Sequence, residues 1–211
     1  AAVNREVDYV KVQINNIVVA ETKPTSDPSY RVNEFTAENE YVIIARDRLI
    51  HLAGFDYKVV DDFKGESLLG KSYVPPFLYH QARDFEGKEN AWKIYHADYV
   101  EIGDEGTGAV HLAPAYGEED MELAKAEGIP IVHHADENGH FMDFVTDFAG
   151  QLVKPKDDDD AEISHLDADI EIVRKLKEDG KLFKKENITH SYPHCWRCDT
   201  PLLNYATTSW F

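Results

Sequence analysis

Residues 106–120 read Gly106-Thr107-Gly108-Ala109-Val110-His111-Leu112-Ala113-Pro114-Ala115-Tyr116-Gly117-Glu118-Glu119-Asp120. The run lays out a glycine-rich turn, a strand over 109–113, a tight turn and a helix start. Gly106 and Gly108 reach torsions that other residues resist, and they leave their amides approachable. Pro114 has no N–H to give to a ladder and halts strand pairing. Glu118, Glu119 and Asp120 fall in the first turn of a helix over 118–127, where the helix dipole favours ionised carboxylates. Gly128-Ile129-Pro130 closes that helix.

Downstream, residues 131–134 read as a short strand, and Glu137-Asn138-Gly139 as a hairpin turn. Residues 154–162 are highly charged around Asp157-Asp158-Asp159-Asp160 and read as a solvated surface turn, with a divalent-cation site as the alternative. Ser164 caps a further helix whose apolar stripe is Ile170, Val173, Leu176 and Leu182 and whose stop is Gly180. A last strand is expected over 187–190. Upstream, Tyr9-Val10-Lys11-Val12-Gln13-Ile14 alternates as a half-buried strand does. Asn15-Asn16 reads as a turn before a second strand over 17–20. Residues 22–40, with Pro24 and Pro28, read as a loop. A strand over 40–45 and a short helix over 46–53, ended by Gly54, follow. Further short strands are expected over 56–100, with a loop near Pro75-Pro76, and another over 99–102. Many short strands with few helices predict an α+β fold, a barrel-like β core with peripheral helices.

The chain has 211 residues, 43% hydrophobic and 29% charged, which is enough apolar material for a real core. Twenty-two basic residues against forty acidic ones leave a net charge of −18. Such a chain is unsuited to broad binding of nucleic acid, since phosphate contacts need Lys and Arg; one short, local end remains compatible. No apolar run approaches a membrane span and residues 1–10 lack a signal-peptide pattern, so no membrane partner is expected. Two cysteines in CxxC spacing suit a reducing, cytoplasmic setting. The chain opens without Met and stops at Ser209-Trp210-Phe211, so it is expected to be a piece of a longer protein.

Three clusters bear chemistry. Asp120, an ionised carboxylate at a helix start, is a natural receptor for an ammonium group; the alternative is plain helix stabilisation. His111 can exchange hydrogen bonds near neutral pH, or simply be exposed. Around Tyr192-Pro193-His194-Cys195-Trp196-Arg197-Cys198, the CxxC reads as half of a four-ligand zinc site or as free structural thiols. His133, His134, Asp136 and His140 could ligate a metal, yet the hairpin turn between them accounts for their spacing. No GxGxxG, P-loop, GxSxG or HExxH occurs.

Residues 106–120 together with Ser191-Tyr192-Pro193-His194-Cys195-Trp196-Arg197-Cys198-Asp199-Thr200-Pro201 and the run to Phe211 resemble the editing domain inserted in isoleucyl-tRNA synthetase, a domain shared with the valyl and leucyl enzymes. Val110-His111 with Ala113-Pro114-Ala115-Tyr116-Gly117 is similar to the isoleucyl version. The resemblance covers essentially the whole chain, as one editing domain over 1–211 with 187–211 returning toward the synthetase core. It implies that family's fold and hydrolysis of valyl-tRNA(Ile), with valyl-adenylate as a further substrate. One methylene is worth only about 1–3 kcal/mol in a hydrophobic pocket, so a second site must remove valine. The resemblance implies that Asp120 binds the substrate ammonium and His111 lines the pocket and helps reject isoleucine. Gly106, Thr107, Gly108 and Tyr116 would contact substrate. A positioned water attacks the ester, assisted by the terminal ribose hydroxyl, with no cofactor for editing. Zinc belongs to the intact parent, where Cys195 and Cys198 pair with a second CxxC. The implied partners are the acylated CCA end of tRNA(Ile), its valyl moiety and the remainder of the synthetase in cis. The family's threonine-rich peptide would lie just before residue 1. A non-catalytic module that binds an amino acid or adenylate is the competing reading, and a metal-dependent hydrolase using the His133–His140 cluster is a third.

Overall fold

A computed structural model of the chain describes residues 1–17, 40–100, 106–155, 167–185 and 191–207. The chain divides into two compact units. The first comprises Ala1–Tyr73 and Trp92–Leu112, the second Val74–Ala91 and Ala113–Phe211. Expectations for 18–39, 101–105, 156–166, 186–190 and 208–211 lie outside the described residues. These include the strand over 18–20, the loop over 22–39, the Asp157–Asp160 turn, the Ser164 cap and the strand over 187–190.

All six described strands belong to the first unit. They are β1 (Ala2–Val3), β2 (Asp8–Ile17), β3 (Glu40–Ala45), β4 (Phe55–Lys64), β5 (Tyr95–His96) and β6 (Ala109–Val110). One sheet runs β3-β2-β4, antiparallel throughout; the other runs β5-β1-β6, with β1 parallel to β5 and antiparallel to β6. β2 carries the apolar alternation and takes the centre of its sheet, so Tyr9, Val10, Val12 and Ile14 are all buried. β3 has the expected bounds, paired from Tyr9↔Ala45 to Ile14↔Glu40.

The turn expected at Asn15-Asn16 is not there. β2 continues through Ile17 beside β4, with register shifts between Lys11 and Val12 and between Ile14 and Asn16. A bulge accommodates the extra residue and lets two poor β-formers remain in the strand. The segment after β3 is a 3-10 helix, Arg46–Leu52, and Gly54 with φ 94° ends it. A long strand, β4, replaces the short strands expected after residue 56. Tyr99 lies in a turn rather than a strand, with the Val100 N–H donating to Ala97 O at 3.2 Å. β6 stops at Val110, short of Ala113, because β1 offers only two paired residues.

In the second unit, α1 (Glu118–Glu127) has the expected bounds and ends on Gly128 at φ 65°; α2 spans Asp167–Glu178, with Gly180 at φ 66° beyond it. Phe141, Val145, Phe148 and Ala168 form its core, joined by Phe77, Tyr79, Phe144, Val153 and Ile172. α2 presents Ala168 and Ile172, one i,i+4 row, to that core. Ile170 lies about 200° around the helix from Ala168 and is 46% exposed, contrary to the expected stripe. The hairpin turn over 137–139 is present: Ala135 bridges Phe141, and the Gly139 N–H donates to Asp136 O at 3.0 Å.

The architecture is therefore α+β, built on two open three-stranded sheets among the described residues; no described strand closes either into a barrel. No helix of the described residues is long and apolar enough to cross a membrane.

Candidate functional site

The singled-out residues fall in both units. Gly106, Thr107, Gly108 and His111 belong to the first; Tyr116 and Asp120 belong to the second.

In the first unit the glycine-rich loop is sewn onto the core. The Ala45 N–H donates to Thr107 O at 2.9 Å, and the Tyr9 hydroxyl donates to Gly108 O at 2.5 Å. A Cβ on Gly108 would lie 2.5 Å from the Ala45 Cβ, and φ there is +81°, so only glycine fits. Burial pushes the Tyr9 phenol above its ordinary range and keeps it a neutral donor; a backbone hydrogen bond with Asn4 opposes the shift. Gly106 also has positive φ, +78°, but a Cβ there would meet nothing within 4 Å. The loop is thus anchored at Thr107 and Gly108 and open at Gly106. His111 is exposed immediately after β6.

In the second unit, residues 113–117 fold into a tight turn, with the Tyr116 and Gly117 N–H groups donating to Ala113 O at 2.8 and 3.0 Å. Asp120, third in α1, reaches back so that Oδ2 accepts the Ala113 N–H at 2.8 Å. Gly117 makes room, since a Cβ on it would sit 3.0 Å from that oxygen. Gly117 is also the N-cap and has no side chain to cap with, so Asp120 ties the turn to the helix start. The Tyr116 hydroxyl accepts the His134 and Ala135 N–H groups, each at 3.0 Å. Residues 131–134 are not the strand expected. With both lone pairs engaged, the hydroxyl keeps only its proton to donate.

Rings gather around Tyr116: His134 at 4.6 Å, His133 at 5.9 Å and Tyr205 at 6.2 Å between centroids. His133 lies 4.4 Å from Tyr205, and its Nε2 is 2.8 Å from Ala206 O. A carbonyl only accepts, so Nε2 carries the proton. The Ala206 N–H returns to Ala115 O at 2.8 Å, closing segment 205–206 onto the turn. Sequence reasoning missed Tyr205 and Ala206 because nothing local marks them.

The His133–His140 group does not converge. His133 serves Ala206, His134 packs on Phe141, and Asp136 Oδ1 accepts the Asn138 and His140 N–H groups at 2.9 and 2.8 Å. Cys195 and Cys198 are not joined in a disulfide and lie on a hairpin closed by the His194–Pro201 bridge, with Asp199 at φ 58° in its tip. The Cys195 N–H donates to Thr200 O at 2.9 Å, and the Cys198 Sγ is 3.2 Å from Thr200 Oγ1. Zinc ordinarily takes four ligands. Among the described residues no group of three or more His, Cys, Asp or Glu could hold a metal ion.

No family model matches the chain. An isoleucine–tRNA ligase of Clostridium novyi is 39% identical over 210 residues, covering all of this chain and 16% of that protein. That of Clostridium acetobutylicum is likewise 39% identical over 210 residues. That of Bacillus thuringiensis is 40% identical over 173 residues, covering 82% of this chain and 15% of its own length. The chain is thus homologous to a segment of an aminoacyl-tRNA ligase and spans about one-sixth of such relatives. In each of these relatives the ligase is the isoleucine enzyme.

Proposed function

We propose that the chain is the editing domain of an isoleucine–tRNA ligase, over 1–211 with 187–211 returning toward the synthetase core. It hydrolyses valyl-tRNA(Ile). Full-length homology to a segment of isoleucine–tRNA ligases is the observation that carries this reading. Its partners are the acylated CCA end of tRNA(Ile), the valyl moiety and the remainder of the synthetase in cis, in the cytoplasm.

Asp120 receives the α-ammonium group. Its place in the first turn of α1 sets its charge against the positive end of the helix dipole, and its Oδ2 accepts the Ala113 N–H. His111 forms a pocket wall that excludes isoleucine, and the open backbone at Gly106, beside Thr107 and Gly108, admits the substrate. The Tyr116 ring braces the turn that carries Asp120. A water positioned with help from the terminal ribose hydroxyl attacks the ester carbonyl; the ester bond breaks, and the ribose oxygen leaves with a proton. No cofactor takes part. Zinc, when bound in the intact enzyme, is held structurally by Cys195 and Cys198 with ligands from elsewhere.

Sheet register supports a place beside His111 for the threonine-rich peptide that the family carries ahead of residue 1. Ala2 pairs with Val110 and Val3 with Ala109, so a strand extended ahead of Ala2 runs beside His111 and Leu112. Deacylation of valyl-tRNA(Ile), with isoleucyl-tRNA(Ile) as control, tests the proposal on this chain beside a version extended upstream. Faster loss of valine than isoleucine from the extended protein is expected. Folded proteins that bind the valyl ester without turnover would replace this reading with the binding-module one.

A further inference from the structure

Residues 203–207 belong to no helix or strand, so discrete bonds rather than a ladder hold them. They follow directly on the hairpin that carries Cys195 and Cys198, whose base is closed by the Leu202 N–H donating to Pro193 O at 3.0 Å. Two bonds at Ala206 then seat this return segment. The Ala206 N–H donates to Ala115 O at 2.8 Å, and the Ala206 carbonyl accepts from His133 Nε2 at 2.8 Å. The His133 ring is oriented by two others. It stands edge-on to Tyr116, with 82° between the planes, and lies at 32° to Tyr205, with centroids 4.4 Å apart. His134, next along, stacks on Phe141 of the core at 5.9 Å, and its N–H donates to the Tyr116 hydroxyl at 3.0 Å.

These contacts close a circuit through three segments. It runs from Ala115 O to Ala206, from Ala206 O to His133, along the backbone to His134, and from the His134 N–H through Tyr116 back to Ala115. The turn held in it, residues 113–117, is the one whose Ala113 N–H donates to Asp120 Oδ2 at 2.8 Å. We propose that His133 is a positioning residue for Asp120. Its Nε2–H seats the return segment on the turn, and the seated segment fixes where Ala113 presents its N–H and so where the carboxylate points. A misplacement of about 1 Å in a group that orients substrate can cost about a hundredfold in rate, so the seat of this turn bears on turnover. Only that consequence, through the ammonium role of Asp120, rests on the proposed function; the placing of the carboxylate does not.

The test compares amide hydrogen exchange in the 211-residue chain and two variants. His133→Phe keeps a ring between Tyr116 and Tyr205 but has no proton to donate. His133→Gln restores an N–H donor at similar reach. In His133→Phe, exchange at the Ala206 and Ala113 amides should be about tenfold faster, as one lost hydrogen bond allows. The Ile129 amide, bonded to Ala124 O at the end of α1, and the Phe141 amide, bonded to Gln151 O, should be unchanged. His133→Gln should stay within about threefold of wild type at all four. In the upstream-extended protein, deacylation of valyl-tRNA(Ile) should fall about tenfold in His133→Phe and recover in His133→Gln. Unchanged exchange at Ala113 overturns the proposal, as does equal acceleration at all four amides, the mark of general destabilisation. Equal defects in the two variants overturn it too, since the Nε2 proton is then not the agent. The expected exchange pattern with undiminished deacylation in His133→Phe also overturns it. A wild-type extended protein that does not deacylate refutes the proposed function, and the exchange pattern then decides on His133 alone. If neither variant folds, the side-chain nitrogen NMR spectrum of wild-type His133 decides: a neutral ring protonated on Nε2 upholds the proposal, and a proton on Nδ1 overturns it.

Discussion

Asp120 performs two tasks that substitution can separate. Its Oδ2 accepts the Ala113 N–H at 2.8 Å, and its charge faces the N-terminus of α1. A hydrogen bond to an ionised group contributes about 1.5–3 kcal/mol, and the carboxylate–dipole interaction adds about 0.3–1 kcal/mol. Alanine forfeits both and regains about 0.5 kcal/mol in helix propensity. Asp120→Ala is therefore expected to cost about 1.3–3.5 kcal/mol, or roughly 3–14 °C in Tm for a chain of this size. Asparagine keeps an acceptor oxygen, so Asp120→Asn should cost about 1 kcal/mol or less. For ammonium binding the two variants are equivalent, since both lack the charge. Thermal melts and valyl-tRNA(Ile) deacylation on the same samples form the assay, in the form of the protein that edits. The expectation is graded stability loss, Ala greater than Asn, with equally severe loss of deacylation. An Asn variant that deacylates at the wild-type rate would refute the ammonium role and leave Asp120 a turn-holding residue. An Ala variant that melts with wild type would refute the hydrogen-bond argument.

Gly108→Ala should destabilise the chain by about 2 kcal/mol or more, combining positive φ with a clash against Ala45. Gly106→Ala, with the same torsion but open space, should cost only about 1 kcal/mol; equal values in chemical denaturation would contradict the packing at Gly108. Tyr116→Phe strands the His134 and Ala135 amides and should cost about 1–3 kcal/mol, with faster hydrogen exchange at those two sites as its signature. The Asp136 carboxyl is held below its ordinary range by the His140 N–H first and also by that of Asn138. A depressed folded-state pKa gives stability that is present above about pH 4 and lost as pH falls through the folded value. Asp136→Asn should therefore shallow the acid limb of the stability profile, and an unchanged limb would remove Asp136 from it. His111→Ala in the editing-competent protein should let isoleucyl-tRNA(Ile) be attacked as well, which deacylation of the two esters would show.

The elements legible in advance were those whose signals are local. β3 and α1 have their expected bounds, and the glycines at 54, 128 and 180 stand where helices stop, each with positive φ. Errors arose where a distant group intervened. Residues 131–134 have the composition of a strand but are not one, and the Tyr116 hydroxyl claims the amide of His134 and that of Ala135 beyond it. Asn15-Asn16 has the composition of a turn, yet the pairing of β2 with β4 carries the strand past it. Ile170 fits an apolar stripe, yet the core sits on the Ala168–Ile172 side. Among candidate site residues, the exposure of His111 after β6 and the place of Asp120 in the first turn of α1 follow from the local motif. The bracing role of Tyr116, the ring of Tyr205 and the burial of Arg48 do not, because each depends on neighbours remote along the chain.

The sequence by itself determined the acidic character, the glycine stops, the carboxylates at the start of α1 and kinship with a segment of isoleucine–tRNA ligases. All of these follow from composition, from torsions set within a few residues, or from identity along an aligned chain. Tertiary structure alone decided that Tyr9 anchors Gly108, 99 residues away, and that Tyr116 holds amides 18 and 19 residues on. It also decided that β1 lies between β5 and β6, and that Arg48 is buried. Hydrogen-bond donors and acceptors are alike all along a backbone. Which ones meet is settled only when the core closes and every buried polar group must find a partner among those brought near it.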